Sequence, residues 1–404
     1  MTSPVPSVRV LYVVSLFPCW SETFIVREIV HLQKLGADVR ILSLKHASEH
    51  LVQSDARALL DRVIYPPTGW QAGWSALLAI AHAPGQSWKE CRDLVAGLWR
   101  RPEALAKSLV AWWRTLAVLP QVRACAPQRL HAHWATYPSS AAMWLSARLS
   151  LPYSFTAHAH DIFLEDHLLA QKLQTAAFGV TISEYNRRWL AQRVSSRALQ
   201  SLRVVHCGVS PDQYQFQADG RQPGRLLSVG RLDAIKGFEH LIDACALLAT
   251  RGVAFDCEII GEGPLRQSLQ TRINAHGLQD RVRLRGACAQ EQVREALHAA
   301  SVFVLASVVT PAGDRDGIPV ALMEAMACGA PVVSTRVSGI PELVSHGVEG
   351  LLADPADARS LADCIARQLQ DGAHAVAMAR AARRKVENDF NVAREAEKLH
   401  AAFV

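Results

Sequence analysis

Short apolar segments alternate with helix-patterned segments along this chain, and the alternation runs twice. Residues 8–15, 39–44, 129–134, 153–158, 179–183 and 202–206 read as strands in the first half. Residues 225–229, 255–260, 282–285, 302–305 and 331–335 do so in the second. Between the first two, Ile25, Ile29 and Leu32 recur at i, i+4 and i+7, with Ser21 placed to cap a helix and Gly36 to end it. Strand–helix–strand repetition of this kind makes a parallel sheet covered by its own crossover helices. The expected fold class is therefore α/β, with a sheet in each half.

The break between the halves falls in the turn-rich stretch 218–224. We divide the 404 residues into a first domain over 1–217, a second over 218–385 and a closing helix over 386–404. Each domain is large enough to bury its own core. No apolar run reaches the roughly 18 residues of a membrane span. The apolar stretch 8–17 contains Arg9, stops at Pro18 and lacks a small-residue cleavage site, so it reads as a strand and not a leader. The nine cysteines form no C-x-x-C pair, which fits reduced thiols in a cytoplasm better than disulfides or a zinc site.

Residues 66–127 break the rhythm and read as a helical insertion. They hold six of the ten tryptophans, interleaved with basic residues. Between Tyr65 and Arg129 eight basic residues face only Glu90, Asp93 and Glu103, so nearly all of the net charge of +6 sits here. No nucleic-acid motif accompanies it, whereas tryptophan and arginine suit an anionic membrane surface. The competing reading makes these tryptophans core. Trp112 and Trp113 are the pair we would first test for lipid contact.

The second half carries the segment Gly230-Arg231-Leu232-Asp233-Ala234-Ile235-Lys236-Gly237, directly after a strand. Ligands bind beyond strand C-termini in open α/β sheets. Arg231 offers a planar fork of donors and Lys236 a point charge, a pair suited to a diphosphate. A solvated loop is the alternative. Further on, Asp316 and Glu324 stand eight positions apart around Gly317-Ile318-Pro319. Proline suits a first helical position, and the free N–H groups there attract phosphate. Asp316 is placed to accept from sugar hydroxyls, and Glu324 to meet a ribose diol. A capping Asp and a surface Glu are the alternative, but Glu324 lies in an apolar run and needs a partner if buried. Gly261-Glu262-Gly263 lacks the third glycine of a dinucleotide fingerprint and reads as a tight turn.

In the first half, His131-Ala132-His133 and His158-Ala159-His160-Asp161 close two strands. Residues i and i+2 of a strand face the same way, so either pair could ligate zinc. A full ligand set is missing, and a histidine at a strand end reads better as a substrate contact. We expect no metal.

Taken together and in this order, these motifs resemble the retaining glycosyltransferases of family 4. The resemblance spans nearly the whole chain. It implies the GT-B fold, two Rossmann-like domains facing across a cleft, with the last helix packed back on the first. It implies a nucleotide-diphosphate sugar as co-substrate and no other cofactor, with a UDP- or GDP-sugar donor. Arg231 and Lys236, with Gly230, would hold the diphosphate. Asp316, Gly317, Ile318, Pro319 and Glu324 would hold sugar and nucleotide, and His158 would touch the donor sugar. The segment from Phe17 to Ile25 looks like the subgroup that builds bacterial exopolysaccharide, colanic acid and capsule. That implies a glycan or polyprenyl-diphosphate-linked acceptor, met by Ser21, Thr23 and Asp161, and a cytoplasmic enzyme at the inner membrane face. One position departs from the family: the first acid of E-x₇-E is Asp316, one methylene shorter. A non-catalytic sugar-nucleotide-binding protein, a sugar phosphorylase and an epimerase are the rival readings.

Overall fold

The computed structural model describes residues 8–19, 22–46 and 54–404. Ser21, named above as a helix cap and acceptor contact, lies outside the described residues. Contacts divide the chain into two units. One holds residues 1–182, 186–205 and 393–404, the other 183–185 and 206–392.

The first unit is built on a seven-stranded sheet. Its strands are β1 (Arg9–Phe17), β2 (Asp38–His46), β3 (Val63–Ile64), β4 (Arg129–His133), β5 (Tyr153–Ala157), β6 (Phe178–Thr181) and β7 (Leu202–Val204). They lie in the order β3-β2-β1-β4-β5-β6-β7, and every pairing is parallel. The second unit has six strands: β8 (Gln222–Val229), β9 (Asp256–Ile260), β10 (Val282–Gly286), β11 (Ala300–Val304), β12 (Val332–Thr335) and β13 (Leu351–Ala353). Their order is β10-β9-β8-β11-β12-β13, again wholly parallel. A parallel sheet needs both faces covered: β1 is apolar and buried without a break from Val10 to Val14, and every residue of β5, β6, β12 and β13 is buried. In each sheet the chain winds outward one way, then returns to the other side. The reversal lies between β1 and β4 in one, and between β8 and β11 in the other.

The helix Thr23–Lys34 buries Ile25, Ile29 and Leu32 and ends at Gly36, whose φ of 92° only glycine adopts cheaply. The composition break at 218–224 lies inside the second unit, at the entry to β8. The last helix, Val392–Phe403, buries Ala396, Leu399 and Phe403 in the first unit's core.

The insertion folds as three helices, Gly69–His82, Pro84–Leu98 and Pro102–Cys125. Its tryptophans divide. Trp112 is buried and donates through Nε1 to Glu90 at 2.7 Å, and Trp113 is partly buried against the core. That corrects the choice of this pair for lipid contact: the Pro102–Cys125 helix is the insertion's own core. Trp70, Trp74, Trp88 and Trp99 are exposed.

Arg148, on the helix Tyr137–Leu149, ties the insertion down. It pairs with Glu90 at 2.7 Å and donates to the Ala79 carbonyl and to Ser87 Oγ. The two charged side chains are only 3% and 4% exposed. Removing one partner of such a pair leaves the other charge buried alone. Arg148→Met should therefore destabilise the protein by about 3–5 kcal/mol, read as a lower denaturant midpoint.

Candidate active site

The loop after β8 and the loop after β11 meet at the point where the second sheet's winding reverses. The 230–237 loop is packed too closely for any residue but glycine at two places, one against the loop after β11 and one against the turn after β9. A Cβ on Gly237, whose φ is 62°, would lie 1.9 Å from the Ala306 carbonyl oxygen. A Cβ on Gly261 would lie 1.9 Å from the Gly230 carbonyl oxygen. The Gly261-Glu262-Gly263 turn is thus the floor of the 230–237 loop, and Leu232 N–H donates to its Glu262 carbonyl at 2.9 Å. Val308 N–H donates to the Ile235 carbonyl at 3.0 Å and closes the other side.

That closure carries Lys236 to Asp316. Lys236 Nζ lies 2.7 Å from Asp316 Oδ1, and Ser307 Oγ donates to Oδ2 at 2.6 Å. The ion pair is mostly shielded, its side chains 17% and 10% exposed. Arg231 is turned the other way. It is 64% exposed and bonds Asp233 at 2.6 Å. Ile318 is buried in the core, and Pro319 is the cap, so the helix begins at Val320, two residues later than the sequence reading placed it. Glu324 sits on that helix, partly buried, and Tyr214 Oη donates to its Oε1 at 2.8 Å. No hydrogen bond among the described residues joins Glu324 to Asp316.

The first unit presents a buried polar layer at its own reversal point. His131 and His133 project from β4 on one face, as the two-residue period requires. His131 uses both ring nitrogens, on Ser154 Oγ at 2.8 Å and Thr156 Oγ1 at 3.1 Å. His133 spans Glu28 Oε1 at 2.8 Å and His158 Nε2 at 3.1 Å. Tyr12 Oη donates to the same Glu28 oxygen at 2.7 Å. Glu28, His131 and His133 could reach one ion, since their ligand atoms lie within 4.8 Å of one another. Each of the three is also hydrogen-bonded within the layer.

His158 rests against the Trp134 ring at 4.4 Å and the Phe24 ring at 4.9 Å. Strand β5 ends at Ala157, so the two-residue period does not extend to His160. That side chain is about half exposed and lies 3.9 Å from Glu165, which removes His158 and His160 as a ligand pair. Asp161 is fully buried. It accepts the backbone N–H of Ala135 at 2.6 Å and of His158 at 2.9 Å, so it shapes the loop that carries His158. Thr23 opens the Thr23–Lys34 helix and is partly buried.

Residues 212–385 match the family described as Glycosyl transferases group 1. The chain is 31% identical to the amylovoran biosynthesis glycosyltransferase AmsK of Erwinia amylovora, over 93% of this chain and 94% of that one. It belongs to the group 1 glycosyltransferase family. In fold it is similar to a sucrose-phosphate synthase from Thermosynechococcus elongatus, with a TM-score of 0.72 and 20% identity over 97% of each chain. It is also similar to Anabaena Alr3699/HepE, solved with UDP and glucose, with a TM-score of 0.69 and 17% identity over 97% of this chain and 98% of that one. Its two parallel-sheet α/β units are those of GT-B glycosyltransferases.

Several residues that shape this glycosyltransferase's site carried no sequence signal. Ser307 and Tyr214 are an ordinary serine and tyrosine until the fold sets them on the two carboxylates. Lys172 is fully buried and donates to the carbonyls of Ala135, Thr136 and His167 at 2.5, 2.7 and 2.8 Å. Burial holds its pKa down to about 7. Glu28 was hidden in the amphipathic helix that it shares with Ile25 and Ile29.

Burial disfavours charge on the histidines. It lowers His131 to about 3, with the His133 charge adding to the effect, and it lowers His158 well below the usual value for the same reasons. Burial alone would raise Glu28, but the adjoining His133 and His131 outweigh it and hold the carboxyl below its usual range. A histidine that is harder to protonate folded than unfolded makes the unfolded chain the better proton binder at low pH. Its contribution is intact above about pH 6.5 and is lost as pH falls toward about 3. His131→Gln should therefore show a shallower fall of melting temperature with acidification than the parent, with Tyr12, His133 and Glu28 unchanged in both.

Proposed function

We propose that this enzyme is a retaining, metal-independent glycosyltransferase of family 4. It moves a sugar from a UDP- or GDP-sugar to a hydroxyl of a glycan or polyprenyl-diphosphate-linked acceptor, in the assembly of a bacterial surface polysaccharide. The observation that carries the reading is the shielded Lys236–Asp316 pair at the reversal point of the second sheet. Ligands of open α/β sheets bind at such points. An ammonium has three N–H groups, and one on Asp316 leaves two for phosphate oxygens. The likeness to a relative named for amylovoran biosynthesis supports the pathway, and a fold neighbour solved with UDP and glucose supports the donor class.

In the reaction the bond from the anomeric carbon to the β-phosphate oxygen breaks, and the acceptor oxygen bonds that carbon on the same face. The acceptor's proton goes to an oxygen of the departing diphosphate. Negative charge grows on that diphosphate, and fixed cations that meet it lower the barrier. Lys236 supplies one in place, Arg231 supplies a second by turning from Asp233, and the backbone N–H groups of Gly317 and Ile318 add to them. Asp316 keeps lone pairs on both oxygens for a sugar hydroxyl while fixing Lys236. Glu324, steadied by Tyr214, meets the ribose diol. His158, kept neutral by burial, is the residue assigned to the donor sugar, and the first unit is assigned to the acceptor. Asp161 acts by positioning His158. The enzyme works at the inner face of the cytoplasmic membrane, where a lipid-linked acceptor lies.

Thermal-shift measurements with UDP- and GDP-sugars in EDTA, on the parent and on Lys236→Ala, test the donor site. A stabilising donor should survive EDTA and lose its effect in the variant, and turnover should fall roughly 10²–10³-fold with the fold intact. Parent-like turnover in Lys236→Ala would overturn the reading. Dependence on inorganic phosphate, or product without an acceptor, would replace it with a phosphorylase or an epimerase.

A further inference from the structure

The helix Gly69–His82 has no charged residue, although it lies on the surface. A surface helix ordinarily hides one apolar stripe and shows a polar one. This helix hides small residues, with Ala72, Ala76, Ala79 and Ile80 packed on the first unit's core. Its outer face is larger and more apolar. Trp70, Trp74, Leu77 and Leu78 follow at i, i+4, i+7 and i+8 and are 79%, 60%, 53% and 42% exposed.

The next helix, Pro84–Leu98, repeats the plan. Its buried stripe is Ser87, Glu90, Leu94 and Leu98. Its outer stripe is Trp88, Arg92, Val95 and the capping Trp99, at i, i+4, i+7 and i+11. Trp88 and Trp99 are 72% and 62% exposed. Among the described residues, nine of the 14 exposed large apolar side chains fall between positions 70 and 110. Clustering of that kind marks an interaction surface, where scattered single residues would not.

Charge identifies the partner. Lys89 and Arg100 flank the second stripe, and Arg100 lies over the Trp99 ring at 4.8 Å. Glu90, beside Lys89, is buried on Arg148, Asp93 is paired with Arg92, and Glu103, three positions after Arg100, is paired with Lys107. The rim is therefore cationic around an indole-rich face. Indoles with basic neighbours suit the boundary between headgroups and acyl chains, and a helix of this type lies about 5–10 Å deep without crossing. No described helix is long and apolar enough to cross a membrane.

We propose that the outer faces of Gly69–His82 and Pro84–Leu98 seat this glycosyltransferase in an anionic lipid bilayer, with Trp70, Trp74, Trp88 and Trp99 as the inserted groups. The proposal rests on the preceding section only for its purpose, which is access to a lipid-linked acceptor. Its test is independent of catalysis. The full chain is sedimented with phosphatidylcholine vesicles, with or without phosphatidylglycerol, and its tryptophan emission is recorded. Binding should require the anionic lipid and shift the emission to the blue. Trp70→Ser with Trp74→Ser should weaken binding about tenfold or more, with melting temperature and donor-induced shift unchanged. Lys89→Gln with Arg100→Gln should weaken the preference for anionic lipid.

No sedimentation of the parent, or sedimentation indifferent to the Trp70/Trp74 double variant, would overturn the proposal. So would a lipid-free dimer that the same double variant returns to monomer, because a second copy would then cover the face. Loss of the donor-induced shift with vesicle binding intact would instead count against the donor reading alone.

Discussion

Lys236 and Asp316 stand 80 positions apart in sequence and 2.7 Å apart in space. Nothing local brings them together. β8 and β11 are neighbours only because the chain winds outward through β9 and β10 and then returns to the other side of β8. The loops after these strands must then share one small volume, and glycine at 237 lets their backbones do so, while glycine at 261, after β9, does the same on the other side of the 230–237 loop. A Cβ at either place would collide with a backbone carbonyl oxygen. The ion pair is thus a consequence of topology plus two missing Cβ atoms. Asp316, though shorter than the family's glutamate, completes its contacts because Lys236 and Ser307 both come to it.

The first unit solves a different problem at the matching place. Its reversal point is filled with side chains that must share protons, and a buried polar group without a partner is costly. Tyr12, Glu28, His131, His133, Ser154 and Thr156 satisfy one another, and the register that sets His131 beside Ser154 and His133 beside Thr156 makes this possible. His158 joins this network through His133, so its ring is held from behind by a neighbour whose own orientation is fixed by a carboxylate. Trp134 follows β4 with a φ of 76°, an uncommon conformation for a bulky residue, and its ring lies against the same imidazole.

The strands were legible because burial on both faces leaves a strong apolar record, and the parallel pairing followed from their alternation with helices. β3 and β13, of two and three residues, left too little record to read, although β7, also three residues, was read. The donor motifs were legible as residue types in order, since Arg, Lys and Gly at fixed offsets are rare by chance. What they touch was not. The strand order decides that Asp316 meets Lys236, and strand order is a property of the whole chain; Arg231 pairs instead with its own loop's Asp233. The histidine pairs show the same limit from the other side. Period two holds for His131 and His133 inside β4, and it fails for His158 and His160 because β5 stops at Ala157, before both. The tryptophans were visible as a cluster, but only the packing of three helices separates Trp112, bonded to Glu90, from Trp70 in solvent.

The insertion and the polar layer are joined by a short rigid path. Lys172 grips the carbonyls of Ala135 and Thr136, just beyond His133 and Trp134. The helix Tyr137–Leu149 starts there, and Arg148 near its end holds Glu90, Ser87 and the Ala79 carbonyl of the two tryptophan-bearing helices. Each link is a buried charge with its hydrogen bonds filled, which resists bending more than apolar packing does, because a displaced charge loses its partners at once. The outward indoles are therefore fixed in distance from the strand ends of the first sheet. On the proposed seating in a bilayer, that fixed height determines which hydroxyl of a lipid-anchored acceptor arrives at the site.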